Sequence, residues 1–79
     1  MPTVLRIGPY RFFFYSYDLA ERPHIHVIRD CNEAKFWLDD GSLARNDGLS
    51  ARDVQEIHRL VLEYKEILTY EWENRQTRR

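Results

Sequence analysis

Two short segments, residues 23–29 and 33–39, constrain the fold of this chain more than any other feature. Apolar and polar residues alternate along both, and successive residues of a β-strand point to opposite faces of a sheet. The segments therefore predict a β-hairpin with one apolar face. The residues expected on the apolar face are Ile25, Val27, Ala34, Phe36 and Leu38. The residues expected on the opposite face are His24, His26, Ile28, Lys35, Trp37 and Asp39.

The length of the turn decides whether the residues divide between the two faces in this way. A two-residue turn at residues 31–32 makes His24 face Asp39 and His26 face Trp37. A three-residue turn would instead place both histidines among apolar side chains, at a desolvation cost. We therefore predict the two-residue turn.

Length and charge predict one small domain over residues 1–79. The formal net charge is −1, whereas a general nucleic-acid binder usually has a clustered basic surface. A domain of this size buries only about 60–65% of the surface that its unfolded chain exposes, so its stability alone is expected to be marginal. We therefore expect self-association or a partner protein.

The cytoplasm is the expected location. The lone Cys31 excludes an intramolecular disulfide and a cysteine zinc cluster, which is typical of a reducing compartment. No segment resembles a signal peptide, and no apolar run approaches the roughly 20 residues that span a bilayer. The sequence predicts neither membrane attachment nor a cofactor.

Other β-favouring segments flank the hairpin. They are residues 3–7, residues 11–16 and a short edge-strand candidate at 42–44, with polar connections at 17–22 and 45–48. Phe12, Phe13 and Phe14 put apolar groups on both faces of the second strand. Only one face of the sheet can pack on a core within this chain. The other face of this strand must therefore pack against something else, such as a partner chain.

The last part of the chain predicts one long helix at about residues 50–74, followed by a short basic tail at 75–79. Ser50 is a favourable N-cap residue, and Asp53 suits the first helical turn. Apolar residues recur at steps of three and four, which is typical of a core-facing helix. They are Val54, Ile57, Leu60, Val61, Tyr64, Ile67, Leu68 and Trp72.

These elements predict an α+β fold with two layers. The expected order is β-β-β-β-α, with an antiparallel sheet of three to four strands and the long C-terminal helix packed on one face. The opposite sheet face then has no cover from this chain. Its exposed aromatic, histidine and charged residues are of the kinds enriched at protein interfaces, so protein–protein binding is the leading hypothesis for that face.

Two alternatives use the same residues differently. In the first, a metal-independent endoribonuclease, His24 and His26 act as acid and base with help from Lys35. Trp37 and Tyr15 could then stack an unpaired base. In the second, His24 and His26 bind a metal ion, but a catalytic zinc usually has three protein ligands and no clear third is present. We therefore assign no metal site.

Five segments carry a family likeness. They are the opening residues 1–6, the aromatic strand at 10–16, the Pro-His-x-His-Val motif at 23–27, the Ala-Lys-x-Trp-Leu motif at 34–38 and the helix entry at 48–50. Through them the chain resembles the small prokaryotic domain of unknown function 4160 family over nearly its whole length. When the family motifs are matched to this chain residue by residue, the resemblance identifies His24, His26, Lys35 and Trp37.

The resemblance also implies a partner. Genes of this family often lie beside another small uncharacterised gene, an arrangement similar to toxin–antitoxin modules. We therefore expect the chain to belong to a two-gene, toxin–antitoxin-like module and to bind the small protein encoded by the neighbouring gene. A second copy of the chain and RNA are the other candidate partners.

Overall fold

Five antiparallel strands and two helices form the fold in a computed structural model, which describes residues 3–15 and 21–77. The strands are β1 (Thr3–Ile7), β2 (Tyr10–Phe13), β3 (His24–Arg29), β4 (Asn32–Trp37) and β5 (Leu43–Asp47). The helices are α1 (Ala51–Glu63) and α2 (Lys65–Thr77). The strands lie in the sheet in chain order, each paired with its neighbour. The predicted α+β class with an antiparallel sheet is confirmed.

The number of strands and several boundaries differ from the prediction. The sheet has five strands rather than three to four, because β5 continues through residues 45–47, where a turn was expected. The Asn46 side chain bonds the backbone N–H and C=O of Leu49, both at 2.9 Å, which places the turn after the strand instead. Residues 1–2, the predicted strand end at Ser16, residues 17–20 and tail residues 78–79 lie outside the described ranges.

The predicted hairpin forms from β3 and β4, but its register differs by two residues. The loop consists of Asp30 and Cys31, so His24 lies opposite Trp37. Asp30 has φ 56°, a left-handed conformation that aspartate tolerates better than most residues. Because the shift is an even number of residues, the paired side chains of residues 24–28 and 33–37 stay on their predicted faces. Only the cross-strand partners change. The predicted strand end at Leu38 and Asp39 lies beyond β4.

The predicted single helix is interrupted at Tyr64, where φ is −104° and ψ is 20°. Hydrogen bonding continues across the interruption, since the Tyr64 amide donates to Leu60 O and Tyr64 O accepts from the Leu68 amide. The apolar stripe continues across the interruption at steps of three and four residues. Leu68 and Trp72 are buried, whereas Ile67, which was predicted to widen the stripe, is 49% exposed. Neither glycine nor proline marks this position, so the apolar pattern alone did not predict it.

The hydrophobic core lies between the helices and one sheet face. Its buried residues are Tyr10, Phe12, Phe14, Ile25, Val27, Ala34, Phe36, Leu38, Leu49, Ile57, Leu60, Val61, Leu68 and Trp72. The predicted N-cap is confirmed, because the Ser50 hydroxyl accepts from the Asp53 amide at 3.1 Å. These contacts leave the other sheet face outside the main core.

Gly48 occupies a close approach between the end of β5 and Asn32. Its φ is 103°, and an added Cβ would lie 3.0 Å from Asn32 Cγ and closer still to Asn32 Oδ1. Gly8 also has a positive φ, 55°, but an added Cβ there would have no neighbour within 4 Å. We expect Gly48→Ala to lower the free energy of unfolding by about 2–3 kcal/mol and Gly8→Ala by about 1 kcal/mol. Urea unfolding checks this difference, and equal losses would contradict the steric explanation.

Tyr10 links β2 to α1 through partly buried polar contacts. Its hydroxyl oxygen lies 2.9 Å from both Asp53 Oδ1 and Glu56 Oε1, which share its one proton, and Arg29 Nη1 lies 2.8 Å from the same Asp53 oxygen. Burial raises the pKa of Tyr10, and the two carboxylates raise it further. The hydrogen bond from Tyr10 lowers the pKa of Asp53, and the positive charge of Arg29 adds to that effect.

The shifted pKa of Tyr10 predicts a loss of stability at alkaline pH. The folded chain holds this proton more tightly than the unfolded chain, so the contribution is complete below the unfolded pKa of about 10 and falls as the pH rises above it. Urea midpoints at about pH 8.5 and about pH 11 measure the loss. We expect a smaller loss in Tyr10→Phe and an unchanged loss in the exposed control Tyr70→Phe. Identical losses in wild type and Tyr10→Phe would rule out this assignment.

Candidate functional site

The sheet face opposite the one that packs on α1 is called the second face. Strand pairing and alternation place on it Arg6, Arg11, Phe13, His24, His26, Ile28, Glu33, Lys35, Trp37, Arg45 and Asp47. Tyr15 joins them just after β2, since its ring centroid lies 5.1 Å from that of Phe13 and 4.5 Å from that of His26. The structure therefore brings together the site residues predicted on β3, β4 and the end of the aromatic strand.

The burial of the histidines departs from the prediction. His24 is 0% exposed and His26 is 5% exposed, whereas both were expected on an open surface. The His24 ring centroid lies 5.0 Å from that of Trp72 and 5.1 Å from that of His26, and His26 stacks on Phe13 at 5.6 Å. Alternation along a strand predicts which face a residue occupies. It does not predict how far aromatic neighbours on that face will enclose it.

Glu33 lies beside His26. The His26 Nδ1 atom lies 3.2 Å from Glu33 Oε2, but the geometry is not that of a hydrogen bond. The Tyr15 hydroxyl lies 3.2 Å from each oxygen of the same carboxylate. The His24 ring is held separately, because its Nδ1 lies 2.7 Å from the Arg22 carbonyl oxygen, to which it donates.

Trp37 is the large aromatic residue of the second face that stays partly exposed on β4. The Arg22 guanidinium carbon lies 4.5 Å from the Trp37 ring centroid, and Lys35 Nζ lies 5.0 Å from it. The His24 ring supports one side at 5.9 Å. These cation–π and edge contacts restrict the orientation of the indole.

The predicted pairing of His24 with Asp39 does not form. The Asp39 carboxylate instead accepts two hydrogen bonds from Arg22, from Nη2 at 2.7 Å and Nε at 3.0 Å. These bonds lower the pKa of Asp39. The correction follows from the register, because the shift of two residues moves Trp37 to the position opposite His24.

Lys35 lies opposite His26 on β4 and has its own partner. Its Nζ atom lies 2.8 Å from Glu21 Oε1. The lysine therefore reaches the rim of the second face rather than the enclosed imidazole rings. This ion pair partly neutralises the charge of Lys35, and the ammonium group also makes a cation–π contact with the Trp37 ring.

Two contributors to the site, Glu33 and Arg22, were not identified from the sequence. Alternation already places Glu33 on the same face as Lys35, but the predicted register paired it with Asp30 and away from His26. Arg22 precedes the strand, and no periodic pattern predicts that its guanidinium folds back over Trp37. That contact depends on tertiary packing rather than on a local sequence pattern.

His58, on α1, makes a hydrogen bond outside this cluster. It is partly buried, and its Nδ1 donates to the Gly41 carbonyl oxygen at 2.5 Å. Within residues 3–15 and 21–77, no three His, Cys, Asp or Glu side chains are grouped closely enough to hold a metal ion. In the same part of the chain, no helix combines the length and apolar character needed to cross a membrane.

Comparison with known proteins gives one family match. A family model described as Domain of unknown function (DUF4160) matches residues 10–73, which include β2 through most of α2 and every residue of the second face except Arg6. No curated protein and no solved structure matches the chain.

Proposed function

Because this chain belongs to the DUF4160 family, a family defined by a domain of unknown function, we infer its function from the second face and propose a protein-binding role. In this proposal the chain is one component of a two-gene, toxin–antitoxin-like module in the cytoplasm. Its second face binds the small protein encoded by the neighbouring gene.

The observation that carries the proposal is the environment of Trp37. The indole is partly exposed, yet Arg22 and Lys35 contact its ring face and His24 supports its edge. An aromatic side chain already held in one orientation loses little conformational entropy when it is buried in a complex. Trp and Arg are also the residue types that most often dominate binding energy at protein interfaces.

The buried side chains that lie near Trp37 on the second face support the same function. His24, His26 and Phe13 are nearly inaccessible, and Glu33 joins His26 to Tyr15 through its carboxylate. Such a packed layer gives the surface a defined shape. Its imidazole rings therefore act mainly by supporting the residues that contact the partner.

Co-purification with the protein of the neighbouring gene tests this function. We expect each protein to retain the other when either one carries the tag, and we expect Tyr70→Ala, on the distant α2 surface, to retain the complex. Failure to co-purify in both tagging directions would contradict the proposal. Growth after induction of the chain, with and without its neighbour, then assigns the toxic or protective role.

The contact between His26 and Glu33 favours one second candidate, a metal-independent endoribonuclease. An imidazole beside a carboxylate is suited to general acid–base catalysis, and Lys35 lies opposite His26 on the neighbouring strand. Arrest of growth with RNA cleavage that survives a chelator and disappears in His26→Ala would support this candidate. His24 is fully buried and donates to a backbone carbonyl, so His24→Ala should mainly lower stability.

A further inference from the structure

Arg6 and Arg11 face each other directly across β1 and β2 on the second face. Side chains at directly opposed positions have Cβ atoms about 4.5–5.5 Å apart, and like charges there repel. Neither guanidinium forms an ion pair with any described residue. The Nε atom of Arg11 is also buried without a hydrogen-bond acceptor in residues 3–15 and 21–77.

The other cations at this face are neutralised within the chain. Their ion pairs are Arg22 with Asp39 at 2.7 Å, Lys35 with Glu21 at 2.8 Å and Arg45 with Asp47 at 3.1 Å. Arg6 and Arg11 therefore form a local positive charge without an internal counterion. The Arg11 guanidinium carbon lies 5.5 Å from the Phe13 ring centroid, which supplies no counterion. An anion shared by the accessible ends of the two guanidinium groups would relieve their repulsion.

We propose that Arg6 and Arg11 bind a carboxylate, and that in the complex this group is an aspartate or glutamate side chain of the partner protein. This inference rests on the proposed protein-binding function of the second face and adds the chemistry of the partner. Guanidinium groups bind carboxylates through paired N–H···O bonds. This pairing fixes the geometry of the contact and adds to the charge attraction.

The charge distribution favours a carboxylate of a protein over a nucleic acid. A nucleic-acid strand carries a phosphate at every nucleotide, and its binding usually depends on several basic residues along its path. Here the remaining cations of the face have carboxylate partners, and the whole chain has a formal net charge of −1. A single uncompensated pair of arginines fits one anionic side chain better than a phosphate chain.

Titration with a hexaglutamate peptide tests the site without the partner protein. The arginine Nε–H resonances of the isotope-labelled chain are followed by NMR, with Arg52 and Arg59 on the exposed surface of α1 as internal controls. We expect shifts at Arg6 and Arg11 that saturate and that exceed those at the controls at least about threefold, with the shifts lost in Arg6→Gln/Arg11→Gln. Equal shifts at all four residues would overturn the proposal. So would saturating shifts produced only by a single-stranded oligonucleotide.

Binding of the neighbouring gene's protein then tests the role of the site in the complex. At about 50 mM salt we expect Arg6→Gln/Arg11→Gln to raise Kd about 10- to 100-fold, and at about 500 mM we expect the difference to shrink to about threefold or less. The matched control Arg52→Gln/Arg59→Gln removes the same charge from α1 and should leave Kd nearly unchanged. Equal losses in the two double variants would overturn the inference.

The two tests separate this inference from the proposed function. If Trp37→Ala abolishes the complex while Arg6→Gln/Arg11→Gln does not weaken it, only the carboxylate site is wrong. If the neighbouring protein does not bind the wild-type chain at all, the proposed function fails, and the hexaglutamate titration still decides whether the arginine pair binds carboxylates.

Discussion

Replacing Trp37 with alanine is expected to weaken binding of the partner protein by about 2 kcal/mol or more, which corresponds to roughly a 30-fold rise in Kd. The variant removes the partly exposed indole and leaves Arg22 and Lys35 without the ring that they contact. Isothermal titration with the neighbouring gene's protein measures the change. In the endoribonuclease candidate, the same variant would instead weaken RNA stacking by about 1–3 kcal/mol and leave protein association unchanged.

Two further variants make this result specific. Tyr70 is 64% exposed on α2, so Tyr70→Ala removes an exposed aromatic ring of similar size from the helix layer and should leave Kd unchanged. Trp37→Phe keeps a ring at the site and should restore part of the lost affinity. A loss of equal size in Trp37→Ala and Tyr70→Ala, or no loss in either, would contradict the assignment of Trp37 as the anchor.

Replacing Trp72 with alanine is expected to have the largest effect on folding. Trp72 is 2% exposed, and its ring centroid lies 5.4 Å from that of Phe14 and 5.0 Å from that of His24. Removal of so large a buried side chain typically costs about 3–5 kcal/mol. Small domains often have a total stability of only about 5–15 kcal/mol, so much of the stability would be lost.

Urea unfolding of Trp72→Ala, Trp72→Phe and Tyr70→Ala measures this effect. We expect an intermediate loss for Trp72→Phe and a change within about 0.5 kcal/mol for the exposed control. Because Trp72 also contacts His24, whose ring supports Trp37, the alanine variant should weaken partner binding along with stability. A loss below about 1 kcal/mol in Trp72→Ala would show that the site repacks around the missing ring.

Several features of the fold were predictable because they depend on neighbouring residues in the chain. The alternation at His24–Arg29 assigned each side chain to a face, and those assignments remain correct although the register differs by two residues. Ser50 was correctly identified as an N-cap, since a capping hydroxyl needs only an amide three residues later. The second helix and the extension of the candidate edge strand through residues 45–47 were not predicted, because residues 45–47 carry local turn signals and Tyr64 carries no signal for an interruption.

The sequence by itself determined which residues can meet on the second face, including His24, His26, Lys35 and Trp37, because side-chain direction in a strand follows a strict period of two. The tertiary structure alone decided how those residues are buried and paired. It brings Arg22 over Trp37 and Trp72 of α2 against His24. Burial and pairing depend on contacts between residues far apart in the chain. Because of those contacts, His24 and His26, which were expected at the surface, are buried.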